Sequence, residues 1–195
     1  MSFWTTTNAD EMQDPKRKFR FIVRMSAFGE GANEIWFAKT AAKPSFAIAS
    51  AEHKYLNHTF YYPGSVTWND VAITFVDPTN PDVAASFSDL VGIAGYKPPS
   101  PGIYSTISKA SSVKAMGSVT ITQLDADGND LETWTLWNAW PTEVKYGELE
   151  YGGDDLTEVS VTFKYDWAQM TVGTDSASEG SALANSEEAK DYFKL

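Results

Sequence analysis

Two histidines, one run of acids and seven tryptophans are the groups in this 195-residue sequence whose chemistry could carry a function. His53 and His58 are its only histidines. They lie five apart, not the four that places two imidazoles on one helical face toward a metal. The spacing therefore suits surface or hydrogen-bonded side chains. Asp125-Ala126-Asp127-Gly128-Asn129-Asp130 starts like a calcium loop. Such a loop needs Gly at 130 and Glu at 136, where the chain has Asp130 and Leu136, so a hairpin turn is the better reading. There is no cysteine, which removes disulfides, thiolate nucleophiles and cysteine-bound metals. No nucleophile elbow, phosphate loop or dinucleotide fingerprint occurs, and no spacing singles out a pair of carboxylates. The expectation is no enzyme, no metal and no cofactor. Tryptophans stack on sugars or fill cores. Trp36, Trp68, Trp134, Trp137, Trp140 and Trp167 all fall in strand patterns, which favours core or subunit-interface packing; Trp4 sits in an apparent arm. A carbohydrate-binding β-sandwich is the alternative.

These residues hang on one stretch, Thr157 to Trp167. Val159, Val161, Phe163, Tyr165 and Trp167 fall on one side of a two-residue repeat. Glu158, Ser160, Thr162, Lys164 and Asp166 fall on the other. Side chains alternate across a strand, so this predicts a strand with a dry face of β-branched and aromatic groups and a wet, charged face. Ahead of it, a strand is expected to end at Trp140, because Pro141 has no amide hydrogen for a ladder. The chain then turns through Gly147 and Gly152 to Asp155.

Elsewhere the pattern is again mostly of strands. Residues 1–15 lack periodicity and read as an arm. Lys18 to Ala27 alternates, Glu34 to Thr40 is a second strand, and a hairpin is expected to join them. Between Ala41 and Gly64 the pattern weakens, with Phe46 to Ile48 as a candidate strand and Tyr61 to Gly64 as a turn. In Ser65 to Val76 the parity of the apolar residues changes near Asn69-Asp70, which suggests a bulge or corner there. Asn80-Pro81 suits a helix start, Val83, Phe87, Leu90, Val91 and Ala94 recur at helical spacing, and Gly95 suits the end. Residues 103–114 are irregular or a short helix. Strands 118–124 and 132–140 form a hairpin through the acidic turn. Residues 173–195 read as an acidic, Ser/Ala-rich extension with a short helix after Ser186, and 16–172 as the one domain.

Composition bounds the rest. With 43% apolar and 14% aromatic residues the chain is globular. No apolar run approaches the roughly 20 residues that span a bilayer, and the start lacks a signal peptide, so cytoplasmic synthesis without membrane binding is expected. The net charge of −11 disfavours gripping nucleic acid, though Lys16, Arg17, Lys18, Arg20 and Arg24 form a basic cluster.

Specific blocks resemble a known family. Asn138 to Val144 with Trp140-Pro141, then Gly147 to Tyr151, then Glu158 to Trp167 are similar to the C-terminal half of the tail tube proteins of T4-like contractile-tailed phages. Asp14 to Phe21, Tyr62 to Phe75 and the helix with Phe87 to Leu90 fit the same family; Ala41 to His58 and the chain after Val172 do not. The resemblance implies a mainly β subunit of two packed antiparallel sheets, a sandwich or barrel-like body with one flanking α-helix, shared with type VI secretion tubes. It implies self-assembly into hexameric rings stacked as a tube in the virion. The tail sheath protein, baseplate tube initiator, tape measure protein and DNA are the implied partners. No catalytic residues come with it. A tube initiator or a secretion-system tube is the near alternative. In such a tube the wet face Glu158, Ser160, Thr162, Lys164 and Asp166 is expected to line the lumen. Val159, Val161, Phe163, Tyr165, Trp167, Trp140 and Pro141 are expected in the core or at interfaces.

Overall fold

In the computed structural model, which describes residues 15–28, 35, 37–102 and 104–173, strand residues dominate. The described elements are β1 (Phe21–Met25), β2 (Ala38–Ala41), β3 (Phe46–Tyr55), β4 (His58–Trp68), β5 (Val71–Val76), α1 (Val83–Ile93), α2 (Lys109–Met116), β6 (Val119–Leu124), β7 (Asp130–Trp137), β8 (Trp140–Lys145), β9 (Glu158–Lys164) and β10 (Trp167–Val172). The arm over residues 1–14, the turn at 29–33, Trp4, Trp36 and the extension over 174–195 lie outside the described residues.

Two antiparallel four-stranded sheets, β1-β6-β7-β10 and β2-β5-β9-β8, face each other across the core. The first contributes Val23, Met25, Val119, Ile121 and Leu136; the second contributes Val71, Ile73, Phe75, Val159, Val161 and Phe163. Alternation puts these on the inner faces, and each fully buried side chain of this size stabilises the fold by about 1.5–3 kcal/mol. This is the mainly β, two-sheet architecture with a flanking helix, and neither sheet closes into a barrel. α1 lies against the core through Phe87, whose ring meets Phe75 at 5.9 Å and Phe163 at 6.4 Å. It begins at Val83, later than the Asn80-Pro81 signal suggests. Asp82 caps it by accepting from the Ala85 amide at 2.8 Å, and Asp77 accepts from the Val83 amide at 3.1 Å. Carboxylates there satisfy orphan amides at the positive end of the helix. A second helix, α2, is capped by Ser108.

Three expectations give way. The strand expected through Trp167 breaks at Tyr165-Asp166, where the chain leaves the second sheet as β9 and enters the first as β10. The parity reverses there, so Ala168 is buried while Trp167 stands on the outer face. Pro141 does not follow a strand end but lies inside β8, an edge strand, the place in a sheet where proline is tolerated; the first strand ends earlier, at Trp137. β1 and β2 are not a hairpin: they belong to different sheets and pair with β6 and β5.

The two sheet crossings coincide. β7 passes to β8 through Asn138, at φ 55°, beside the place where β9 passes to β10. Bent strands that switch sheets make the corner of a sandwich. Asp166 ties the corner together. Its amide donates to the Trp137 carbonyl at 3.0 Å, and its carboxylate accepts from Asn138 at 2.8 Å and from Lys109 of α2 at 2.7 Å. Hydrogen bonds from Lys109 and Asn138 hold this carboxyl below the usual aspartate range. Asp166→Ala is expected to cost about 1–2 kcal/mol, read as a lower urea midpoint at unchanged slope. Lys109→Ala, which leaves the Asn138 bond, should cost less.

Candidate functional site: an exposed arm, open edges and a polar wall

The segment with the weakest sequence pattern is the most prominent surface feature. β3 and β4 pair with each other alone, as a two-stranded arm of ten and eleven residues. At ~3.3 Å per residue the arm is about 30 Å long. Tyr61 to Gly64 is not a turn but part of β4, and the register slips opposite Ile48 to Ser50 to take in the extra residue. The real turn is Leu56-Asn57, between the paired Tyr55 and His58.

Both faces of the arm are open. Near its base Phe46, Ile48, Val66 and Trp68 share one face; toward the tip His53, Tyr55, His58, Phe60 and Tyr62 share the other. The two histidines thus lie diagonally on one face among aromatic rings, with the His58 ring 4.7 Å from that of Phe60. No group of three metal-ligating side chains occurs among the described residues. At the tip Leu56 is 88% exposed with φ 52°, a conformation that strains a bulky side chain. A lone hairpin is marginal in water, and contiguous exposed apolar groups mark contact surfaces. This geometry suits insertion against another protein surface.

The sheets also leave edges. β1 and β10 bound the first sheet, β2 and β8 the second. β8 is guarded by Pro141, Glu143 and Lys145, the residue types that discourage random edge pairing. β10 carries no such guard, and Met170 and Val172 are exposed on it.

The outer face of the second sheet is a polar wall. Glu158, Ser160, Thr162 and Lys164 share it. Glu158 pairs with Lys39, Ser160 lies 3.3 Å from the Thr74 hydroxyl, and Lys164 donates to Asp70 at 3.1 Å. Asp166 is not on this wall but at the corner, bonded to Asn138 and Lys109. Val159, Val161, Phe163 and Tyr165 point into the core, where the Tyr165 hydroxyl donates to the Asn69 carbonyl at 2.8 Å. Pro141 sits opposite Phe163, and Trp140 opposite Lys164, both half-buried. Trp167 stacks on Trp137 at 5.9 Å and 16°. Trp137 nevertheless stays 42% exposed.

One group escapes a reading by residue type. Glu132 is only 6% exposed, between the sheets, and is gripped by Lys16 and Lys43, with the Trp134 indole donating at 3.3 Å. Burial pushes its carboxyl up, but the hydrogen bonds from Lys16 and Lys43 outweigh it and hold it at about 2. Parity is the signal that could have found it: Glu132 shares a face with Trp134 and Leu136.

Residues 35–169 match the phage tail tube protein family. Among solved structures, a chain in the 6-fold symmetrised baseplate of the anti-feeding prophage superposes with TM-score 0.61 at 15% identity, over 83% of this chain and 98% of that one. A chain in the sheath-tube complex of the PVC extracellular contractile injection system gives 0.61 at 16%, over 86% and 99%. No curated protein matches. The shared fold agrees with a family match that spans most of the sequence, and this chain belongs to the phage tail tube protein family, whose members are structural tube components.

Proposed function

We propose that this chain is the repeating subunit of the inner tube of a contractile phage tail, assembled as stacked hexameric rings whose lumen conducts DNA during ejection. Residues 16–172 form the tube body, and 1–15 and 173–195 are extensions from it. The single observation that carries this reading is the unpartnered arm, which exposes aromatic groups on a hairpin too thin to be self-sufficient. Closed rings also give open sheet edges a partner. The tail sheath, the baseplate tube initiator and the tape measure protein are the expected neighbours in the virion. Electron microscopy of the purified protein, alone and with a baseplate seed, is the test. Rings or tubes are expected; particles that stay monomeric at every concentration, even beside the seed, would overturn the reading. A second reading, a tube of an injection system without a genome, is favoured by the fold shared with a chain of the PVC sheath-tube complex. Particles lacking a capsid would select it.

Within this reading the wall of Glu158, Ser160, Thr162 and Lys164 faces the lumen, with Asp166 at its rim. Small hydroxyls and mutually paired charges keep a passing polyanion hydrated without gripping it, whereas cationic walls bind phosphate. Asp166 is unsuitable for a charge test because it holds the corner. Glu143→Lys with Glu158→Lys spares the core and breaks only exposed ion pairs, which contribute little to stability. The variant is expected to form tubes that retain duplex DNA at low salt and release it as salt rises. Variant tubes that ignore DNA, or that lose only sheath binding, would place this wall outside the lumen.

A further inference from the structure

Between the β1 edge of the first sheet and the β2 edge of the second, the sandwich opens into a cleft of about 910 Å³, within the ~300–1,000 Å³ usual for ligand sites. Lys16, Lys18, Lys39 and Lys43 ring it, over an apolar floor that includes Phe21 and Trp134. Glu132 answers Lys16 and Lys43, and Glu158 answers Lys39, whereas Lys18 has no acidic partner among the described residues. Four ammonium groups thus face two carboxylates, and the exposed Phe19 ring stands at the rim. A site of this make-up suits an acidic segment that also carries apolar side chains. Its carboxylates would meet the rim while its apolar groups cover the floor.

The chain itself presents such a segment. From Gly147 to Leu156 the connection between β8 and β9 holds Glu148, Glu150, Asp154 and Asp155 and no base, together with Leu149, Tyr151 and Leu156. All of these side chains are exposed, Leu149 to 90%. Glu158, and after it Asp155, hold the Lys39 ammonium above its usual range, so Asp155 already serves its own subunit. Glu148, Glu150 and Asp154 have no cationic partner among the described residues. Exposed apolar groups set among unpaired acids mark a contact surface. Gly147 fixes where the segment leaves. Its φ is 78°, and a Cβ there would stand 2.7 Å from the Glu158 carbonyl oxygen, so only glycine lets the backbone lie this close to β9. The sheet order sets segment and cleft apart. The segment leaves from β8, the opposite edge of the second sheet from β2, three strand spacings or about 14 Å away. A patch and its complement on opposite sides of one subunit make a head-to-tail contact, which closes into a ring when the rotation permits.

We propose that the lysine cleft of one subunit receives residues 147–156 of a second copy, and that this contact, repeated head to tail, joins neighbours within a ring. The contact rests on charge, floor and placement; its closing into a ring rests on the tube reading. Paired charge reversals test it. Lys18→Glu with Lys39→Glu in the cleft, and Glu148→Lys with Glu150→Lys in the segment, change only exposed side chains and should leave the urea midpoint near the parent's. Each variant alone should need a concentration about tenfold higher or more to assemble beside a seed, because like charges then meet at every contact. A one-to-one mixture of the two should assemble again, and so should one chain carrying all four substitutions, since both restore opposite charges across the contact. Zero-length carbodiimide cross-linking of the parent should join Lys18 to Glu148 or Glu150 in a ladder that runs past the dimer. Links confined to monomers, reversals without effect on assembly, or a loss that neither the mixture nor the fourfold variant restores would each overturn the proposal. A ladder that stops at the dimer would overturn the head-to-tail repeat. If the ladder forms but rings and tubes do not, the contact stands and the tube reading fails. Tubes that form without these links leave the tube reading standing and sink the contact.

Discussion

Acidification from pH 5 to pH 2 is expected to remove about 3 kcal/mol of stability through Glu132 alone. Its ordinary value of 4.5 applies to the unfolded chain, and the folded structure holds it at about 2. A carboxyl depressed by folding contributes stability that is fully present above its unfolded value. That contribution fades as pH falls toward the folded one. Burial opposes this, so the net effect measures how firmly Lys16 and Lys43 hold the charge between the sheets. Glu132→Gln keeps the shape and removes the charge. It is expected to cost at most about 3 kcal/mol at pH 7, because the carboxylate loses its two lysine partners while the half-exposed ammonium groups left behind return to water. Urea midpoints for both proteins across pH 2–7 decide it. Other carboxylates titrate in the same window, so the informative quantity is the gap between the two curves. That gap should close as pH approaches 2; curves that stay parallel would show that Glu132 does not carry the effect.

Glu132 is hidden in the sequence while β9 is legible residue by residue, and the reason lies in what periodicity measures. β9 has one buried face and one wet face, so Val159, Val161 and Phe163 against Glu158, Ser160 and Thr162 state its orientation outright. Residue type hides Glu132: its parity is that of Trp134 and Leu136, but a carboxylate at a dry position reads as an exception until Lys16 and Lys43, 116 and 89 residues away, are seen on it. The corner is hidden in a different way. Tyr165 keeps the parity of β9, so the pattern runs past the crossing, and only the burial of Ala168 in place of Trp167 reveals the switch. The arm is illegible for a third reason. With both faces exposed, no dry side imposes a two-residue period on β3 or β4, and Pro63-Gly64 suggests a turn where an open strand absorbs it as a bulge. The acidic turn at 125–130 is legible because it is local: Asp125 accepts from the amides of Asp127 and Asn129, each at 2.8 Å.

That same exposure gives the arm the largest expected effect on assembly. Tyr55→Ser, Leu56→Gly, Phe60→Ser and Tyr62→Ser together should abolish tube formation while leaving the subunit folded. All four side chains are exposed in the single chain, so each is expected to change its stability by no more than about 0.5 kcal/mol. Leu56→Gly should even help, because glycine accepts a φ of 52° that leucine does not favour. In a tube the balance reverses. An aromatic or leucine side chain taken from water into a contact contributes about 1.5–3 kcal/mol, and the loss recurs at every copy of the arm. A few such losses per subunit exceed what a weak, repeated interface can absorb, since each 1.4 kcal/mol changes an association constant about tenfold. The outcome is read from two measurements on one preparation: urea unfolding, expected to match the parent within error, and sedimentation of seeded assemblies, expected to leave the variant in the supernatant. Leu56→Gly alone should give a slightly more stable subunit with a higher critical concentration, which separates tip contact from the rest of the arm. Should the fourfold variant form tubes at the parent's critical concentration, the arm makes no contact that matters, and the interface must lie along the β1, β2 and β10 edges.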